Sequence, residues 1–244
     1  MAARTKNPDK ELELLDHLGE LRSRLIRVIL YLVIGAGMAW WFFDPLYKFL
    51  LAPAVQSLPK SSQGLLMTGF MQAFTLKMQV ALVGGAVLVG PLITTELWMF
   101  VAPALTRQER KAIWFVAPLS VVLFASGVAL CYYAMPRAFG WFVSLVPPNV
   151  DLRPEASATL VFAVQMYLAF GVMFEMPVVL MFLGKVGIVN SKMMIRLWRE
   201  ATVGIAAIAA IATPSNDAFT MMLMAVPMVV LYFFSIGLVK MVED

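Results

Sequence analysis

The sequence predicts an all-α polytopic membrane protein with six transmembrane helices and both termini in the cytoplasm. Three observations carry that expectation. Hydrophobic residues make up 61% of the 244 and charged residues only 14%, with a mean hydropathy of +0.82. A water-soluble domain is roughly half apolar and could not hide the excess, and the length suits a single domain. The apolar residues gather into six runs, approximately 25–43, 74–98, 113–134, 159–183, 201–213 and 220–239. The basic residues are also sorted. With six crossings, fourteen lysines and arginines fall on one side: Arg4, Lys6, Lys10, Arg22, Arg24, Arg27, Arg107, Arg110, Lys111, Lys185, Lys192, Arg196, Arg199 and Lys240. The other side receives five, Lys48, Lys60, Lys77, Arg137 and Arg153. Basic residues near span ends stay cytoplasmic, which sets the orientation.

In chain order, Leu12, Leu15, Leu18, Leu21 and Leu25 recur at spacings of three or four. They form one apolar stripe of a helix over residues 9–24, which Asn7-Pro8-Asp9 can start. Such a helix is expected to lie along the membrane interface before turning into the first span. The first 24 residues mix acids with bases and the next apolar run is too long for a leader's core, so no cleaved signal peptide is expected. Crossing ~30 Å of hydrocarbon takes ~20 helical residues. The first span comes close to that length, and the second, third, fourth and sixth meet or approach it. The fifth, Ala201 to Thr213, reaches only ~20 Å at 1.5 Å per residue. It either re-enters or crosses where the bilayer is thinned. Pro214 to Phe219 is a tight turn that makes spans five and six a hairpin. The long loops 44–73 and 135–158 are rich in proline and serine and are expected to form short interfacial caps. Pro91, Pro118, Pro177 and Pro227 fall inside spans, where each removes a helical hydrogen bond. Four bent helices can build a curved wall.

The acids narrow the function. Glu175 lies inside span four, where an ionised carboxylate costs at least ~2.5 kcal/mol, so it should face protein or water. It is either a working acid in a polar cavity or a structural acid bonded to a neighbouring helix. Glu96, near the end of span two, is expected to snorkel to the interface. Asp217 occupies the short turn after span five, where aspartate is a common turn residue. The island from Trp98 to Lys111 holds Glu109 among Arg107, Arg110 and Lys111, and Glu20 sits among the arginines of the N-terminal helix. Each carboxylate can pair locally for ~0–1 kcal/mol. Two separate carboxylates on one surface would also suit two guanidinium forks, whose planar donors lysine cannot mimic. Eighteen methionines, several at Met221, Met222, Met224 and Met228, suit a surface that accepts many apolar sequences, or serve as lipid-facing filler. One cysteine, Cys131, and one histidine, His17, leave no basis for a disulfide, a metal site or a haem, so no cofactor is expected.

Four stretches in register resemble the TatC family, the polytopic subunit of the twin-arginine protein translocase, over roughly residues 14–239. His17-Leu-Gly-Glu20-Leu-Arg22-Ser-Arg24 is similar to its N-terminal H-L-x-E-L-R-x-R. Phe100-Val-Ala-Pro103-Ala-Leu105 through Glu109-Arg110 is similar to its F-x-x-P-x-L-x-x-x-E-R. Phe170 to Pro177 is similar to F-G-x-x-F-E-x-P, and Thr213-Pro214 with Asp217 to its last outer turn. The resemblance implies a curved, glove-shaped receptor with six crossings, the fifth and sixth spans short. Glu20 and Glu109, with Arg22, Phe100, Pro103, Leu105 and Arg110, would bind signal peptides carrying consecutive arginines. Glu175, with Thr213 and Asp217, would form an intramembrane polar site near the inserted peptide or the single-span TatA and TatB subunits. Pro53 would shape the outer cap, and Pro177 would loosen span four. Two departures stand out: Met221 occupies a position the family fills with a polar residue, leaving Glu175 short of a partner, and the turn before Asp217 is one residue longer.

The function implied is reception and export of folded proteins across the cytoplasmic membrane, driven by the protonmotive force, without catalysis. Signal peptides, TatA- and TatB-type subunits, further copies of the chain and lipid are the implied partners, and nucleic acid is not. One alternative is a proton-coupled secondary transporter using Glu175, which needs a second intramembrane charge or a related half. Another, an intramembrane enzyme, needs a nucleophile and base or metal ligands within the spans, and the residue types there do not supply them.

Overall fold

Leucine at helical spacing continues into an uninterrupted apolar run near the N-terminus, and nothing between them breaks a helix. The computed structural model accordingly has one continuous helix, α1 (Pro8–Trp41). It describes the backbone of residues 8–59, 64–101, 107–215 and 217–243, and side chains within 18–59, 64–100, 116–215 and 217–243. The expected turn between an interfacial helix 9–24 and a span from 25 is therefore absent. The Ser23 hydroxyl bonds back to the Gly19 carbonyl at 3.0 Å, within an unbroken backbone ladder.

A second helix, α2 (Phe43–Ser57), forms within the first long loop and tolerates Pro53 in its interior. It buries Leu50, Leu51, Pro53 and Ala54 against α5 (Arg107–Ser144) and α6 (Ala156–Met173). The loop beyond it meets the second long loop in a single parallel bridge between Leu66 and Glu155. Leu66 N–H donates to the Pro154 carbonyl at 2.8 Å, and the Leu66 carbonyl accepts from Ala156 N–H at 3.1 Å. The two proline-rich loops thus form one joined cap, held shut by backbone bonds.

The second apolar run is α3 (Phe70–Gln79), a π-helical turn (Val80–Gly84) and α4 (Gly85–Val101) end to end. It packs antiparallel along α1. The closest approach is at Gly85, where a Cβ would lie 2.6 Å from the Gly35 carbonyl carbon and the Ala36 nitrogen. Small residues at such crossings let two backbones meet. The fourth apolar run is split: α6 ends at Met173 and α7 (Met176–Lys185) begins with Pro177 in its first turn. Proline removes a donor and clashes with the preceding turn, so the break falls beside Glu175. A short α8 (Ser191–Arg196) and α9 (Trp198–Ala212) lead to α10 (Ala218–Val242).

Five stretches among the described residues are long and apolar enough to cross a membrane: Leu18–Trp41, Phe70–Phe100, Val116–Ser144, Ala156–Lys185 and Ala218–Val242. The fifth run of the sequence, now α9, is not among them, whereas the expected short sixth span is corrected, since α10 has 25 residues and is long enough to cross. Its 15 residues span ~22 Å at 1.5 Å each. The main core is built around α6, where Leu160, Val164, Met166, Tyr167 and Phe170 are buried. A smaller core of Trp98, Val116, Val178 and Met181 lies beside Glu175's end of α7.

Candidate functional site

Two polar clusters stand apart from this apolar background. The first joins α1 to α4. Glu20 and Arg24 are one helical turn apart, a spacing that puts both side chains on one face. Arg24 donates from Nε at 3.1 Å and from Nη2 at 2.5 Å, both to Oε1 of Glu20. Its remaining nitrogen, Nη1, donates to Oε2 of Glu96 on α4 at 3.0 Å. Glu96 is buried and also takes Arg27 Nη2 at 3.4 Å and the Tyr31 hydroxyl at 3.3 Å. The expectation that Glu96 snorkels to the interface is corrected here. Its carboxylate turns inward because two guanidiniums and a phenol of α1 lie within reach, which compensates the burial of its charge.

This cluster fixes which helix ends meet. Glu96 is four residues before Phe100, about 6 Å along the helix axis. The Glu20 end of α1 therefore lies beside the end of α4, from which the chain runs into the charged island. Phe100 is half-buried there, and Arg22 is exposed on α1. Pro103 and Leu105 lie outside the described residues. Glu109 and Arg110 fall in the first turn of α5, and their side chains also lie outside the described residues.

The second cluster surrounds Glu175, at the junction of α6 and α7. Trp98 Nε1 of α4 donates to Ser120 Oγ of α5 at 3.0 Å, and Ser120 in turn donates to Glu175 Oε2. All three groups are buried. Glu175 Oε1 has no hydrogen-bond partner among the described residues. α5 and α6 come together closely here, since a Cβ at Gly127 would sit 2.5 Å from the Phe170 carbonyl oxygen. Trp98 also packs edge-on against Phe182 of α7, with centroids 5.4 Å apart. Three segments distant in sequence thus converge on one acid.

Thr213 and Asp217, which the resemblance groups with Glu175, lie at the turn between α9 and α10 and make local hydrogen bonds there. Thr213 is buried and its hydroxyl bonds back to the Ala209 carbonyl at 3.0 Å. Asp217 caps α10, accepting the Thr220 N–H at 2.8 Å and the Thr220 hydroxyl at 2.5 Å. Burial pushes the Asp217 carboxyl up, but donors from Ser215, Thr220 and the Phe219 backbone outweigh it and hold it below its ordinary value. No hydrogen bond joins either residue to Glu175 among the described residues.

With this geometry in view, comparison with known proteins decides the family. The family model described as Sec-independent protein translocase protein (TatC) matches residues 16–227. The chain belongs to the TatC family. A TatC of Desulforapulum autotrophicum is 34% identical over 222 residues, covering 91% of this chain and 82% of its own. A TatC of Xylanimonas cellulosilytica is also 34% identical, over 93% of this chain and 83% of its own. A crystal structure of the twin arginine translocase receptor TatC superposes with a TM-score of 0.79 at 29% identity, covering 93% of this chain and all of that one. As a TatC-family member, the chain is a multi-pass component of a Sec-independent protein translocase, which is a transport function.

Within the TatC motifs, the structure brings the Glu20 segment and the Phe100 segment together. It adds two residues that sequence reasoning did not assign to the site, Arg24 as the partner of Glu20 and Glu96 as the partner of Arg24. The first was signalled by the four-residue spacing. The second pairing spans 72 positions and left no local trace. Ser120 and Trp98, the donors that reach Glu175, were missed for the same reason.

Proposed function

We propose that this chain is the receptor for twin-arginine signal peptides and the core subunit of a translocase that exports folded proteins across the cytoplasmic membrane. The observation that carries the reading is the Arg24–Glu96 contact at 3.0 Å, which brings the Glu20 segment beside the Phe100 end of α4. A signal peptide's two guanidiniums would be held by Glu20 and Glu109 in charge-assisted hydrogen bonds, the strongest class available to a carboxylate. Arg22, Phe100, Pro103, Leu105 and Arg110 would border that site. The peptide's apolar segment then runs along a curved face toward Glu175. There, with Thr213 and Asp217 at the far end of the α9–α10 hairpin, single-span TatA- and TatB-type subunits and further copies of the chain would assemble. Pro53 and Pro177 shape the cap and the α6–α7 break. The protonmotive force drives the export.

In this reading the chain crosses the membrane six times with both termini cytoplasmic, and α9 crosses where the bilayer is thinned. The excess of lysine and arginine on the side of the termini supports it. For a proton-coupled transporter built on Glu175, a second intramembrane titratable partner would be needed. Among the described residues, the partners of Glu175 are a serine and, through it, a tryptophan.

The test is binding of a twin-arginine signal peptide to the purified protein, against the same peptide with both arginines changed to lysine. The arginine peptide should bind at least tenfold tighter, a difference of about 1.4 kcal/mol. Glu20→Ala and Glu109→Ala should each abolish that preference. Equal binding of the two peptides would sink the proposal.

A further inference from the structure

We infer that Arg24 is a resident competitor at the peptide site, holding Glu20 with the same fork that an incoming arginine would use. The inference rests on the reading of Glu20 given above. Two of Arg24's nitrogens already converge on Oε1 of Glu20, at 3.1 and 2.5 Å. A guanidinium arriving from a peptide offers the same planar donors to the same carboxylate. A bidentate grip takes both carboxylate oxygens, and Oε1 already holds two donors, so an incoming fork reaches full strength only by displacing the resident one.

The cluster contains a place for the displaced group. Arg24 keeps a third contact, Nη1 to Glu96 at 3.0 Å, which does not depend on Glu20. Among the described residues of the cluster, Glu20 and Glu96 balance Arg24 and Arg27, two charges against two. A third guanidinium leaves one cation in excess. Arg27 is the least committed, with its side chain 45% exposed and, among the described residues, one ion pair, at 3.4 Å to Glu96. Its release to water leaves Glu96 still paired with Arg24, so no buried charge is stranded. The exchange is therefore a relay: the peptide arginine takes Glu20, Arg24 retreats onto Glu96, and Arg27 swings out to solvent.

This arrangement sets a threshold and does not select. The cost of removing Arg24 is the same for any cation that takes its place, so it cancels in the ratio of two peptides' affinities. Arg24→Gln should tighten the arginine and lysine peptides alike, by about fivefold, the loss of one partly exposed pair. Their ratio should stay unchanged. Arg24→Lys keeps the charge but cannot bridge both carboxylates with one fork, so it should tighten both by about twofold. An Arg24 that merely braces α1 against α4 predicts weaker binding in both variants.

The experiment measures dissociation constants of labelled arginine and lysine peptides for the full chain in lipid nanodiscs. Wild type is compared with Arg24→Gln, Arg24→Lys, Glu20→Ala and the Glu20→Ala/Arg24→Gln double variant. Tightening by both Arg24 variants, absent once Glu20 is gone, supports the relay. Unchanged or weaker binding by Arg24→Lys at wild-type thermal stability overturns it, and this variant decides if Arg24→Gln does not fold. If Glu20→Ala binds the arginine peptide as wild type does, the reading of Glu20 itself fails. If Glu20→Ala weakens binding but the Arg24 variants do not tighten it, only the relay fails.

Discussion

Glu175 keeps its place in an apolar helix junction because Ser120 donates to it, and Ser120 is held in turn by Trp98. A buried polar group that loses its donor costs about 1–3 kcal/mol. Ser120→Ala removes the donor to Glu175 and the acceptor of Trp98 together, so a loss of that size is expected in thermal unfolding of the detergent-solubilised protein. Glu175→Gln leaves Ser120 an acceptor and should lose much less. A Ser120→Ala protein as stable as wild type would mean that the acid's support lies elsewhere. The presence of an acid at this depth was legible, because one carboxylate in a run of apolar residues is visible to anyone reading the chain. Its partners were not, since a serine and a tryptophan in other spans look like ordinary span residues. Glu20 and Arg24 were the opposite case, with a spacing of four positions that already places them on one helix face.

Among the helices, the α1–α4 pair positions the first cluster, and its spacing is set by glycine. A Cβ at Gly85 would meet backbone atoms of Gly35 and Ala36 at 2.6 Å, which no side-chain rotation relieves. Gly85→Val should therefore force α1 and α4 apart and cost about 1–3 kcal/mol of stability, as overpacking does. It should also weaken peptide binding, because Arg24 reaches Glu96 only across that contact. Gly37→Ala is the control, since a Cβ there meets nothing within 4 Å. Equal melting temperatures for the two variants would refute the argument. Element boundaries were legible where sequence carries its own stop. Pro177 marked the α6–α7 break, and Asp217, with its side chain on the Thr220 N–H, marks the start of α10. The join between the amphipathic segment and the first span was misread as a turn. Changing hydropathy along a helix does not bend it, and no residue there interrupts the backbone ladder.

For the whole molecule, the proposed crossing of α9 has a direct test. In a Cys131→Ala background, Lys192→Cys and Ala218→Cys flank α9 at exposed positions. If α9 crosses, a membrane-impermeant maleimide applied to intact cells should label Ala218→Cys and spare Lys192→Cys. Labelling of both or neither would make α9 a re-entrant hairpin arm and leave five crossings. Composition, the apolar runs, the asymmetry of basic residues and the four motifs were all present in the chain itself. They established a membrane-embedded helical protein and pointed to its family, because hydropathy, charge and short-range spacing are properties of neighbouring residues. Which helices touch, that Glu96 turns inward to Arg24, that Ser120 supports Glu175, and that two proline-rich loops close into one cap were decided by tertiary structure alone. Those contacts join positions 55 to 72 residues apart or more. They exist only once packed helices bring distant side chains within about 3 Å of one another, the range at which a hydrogen bond forms.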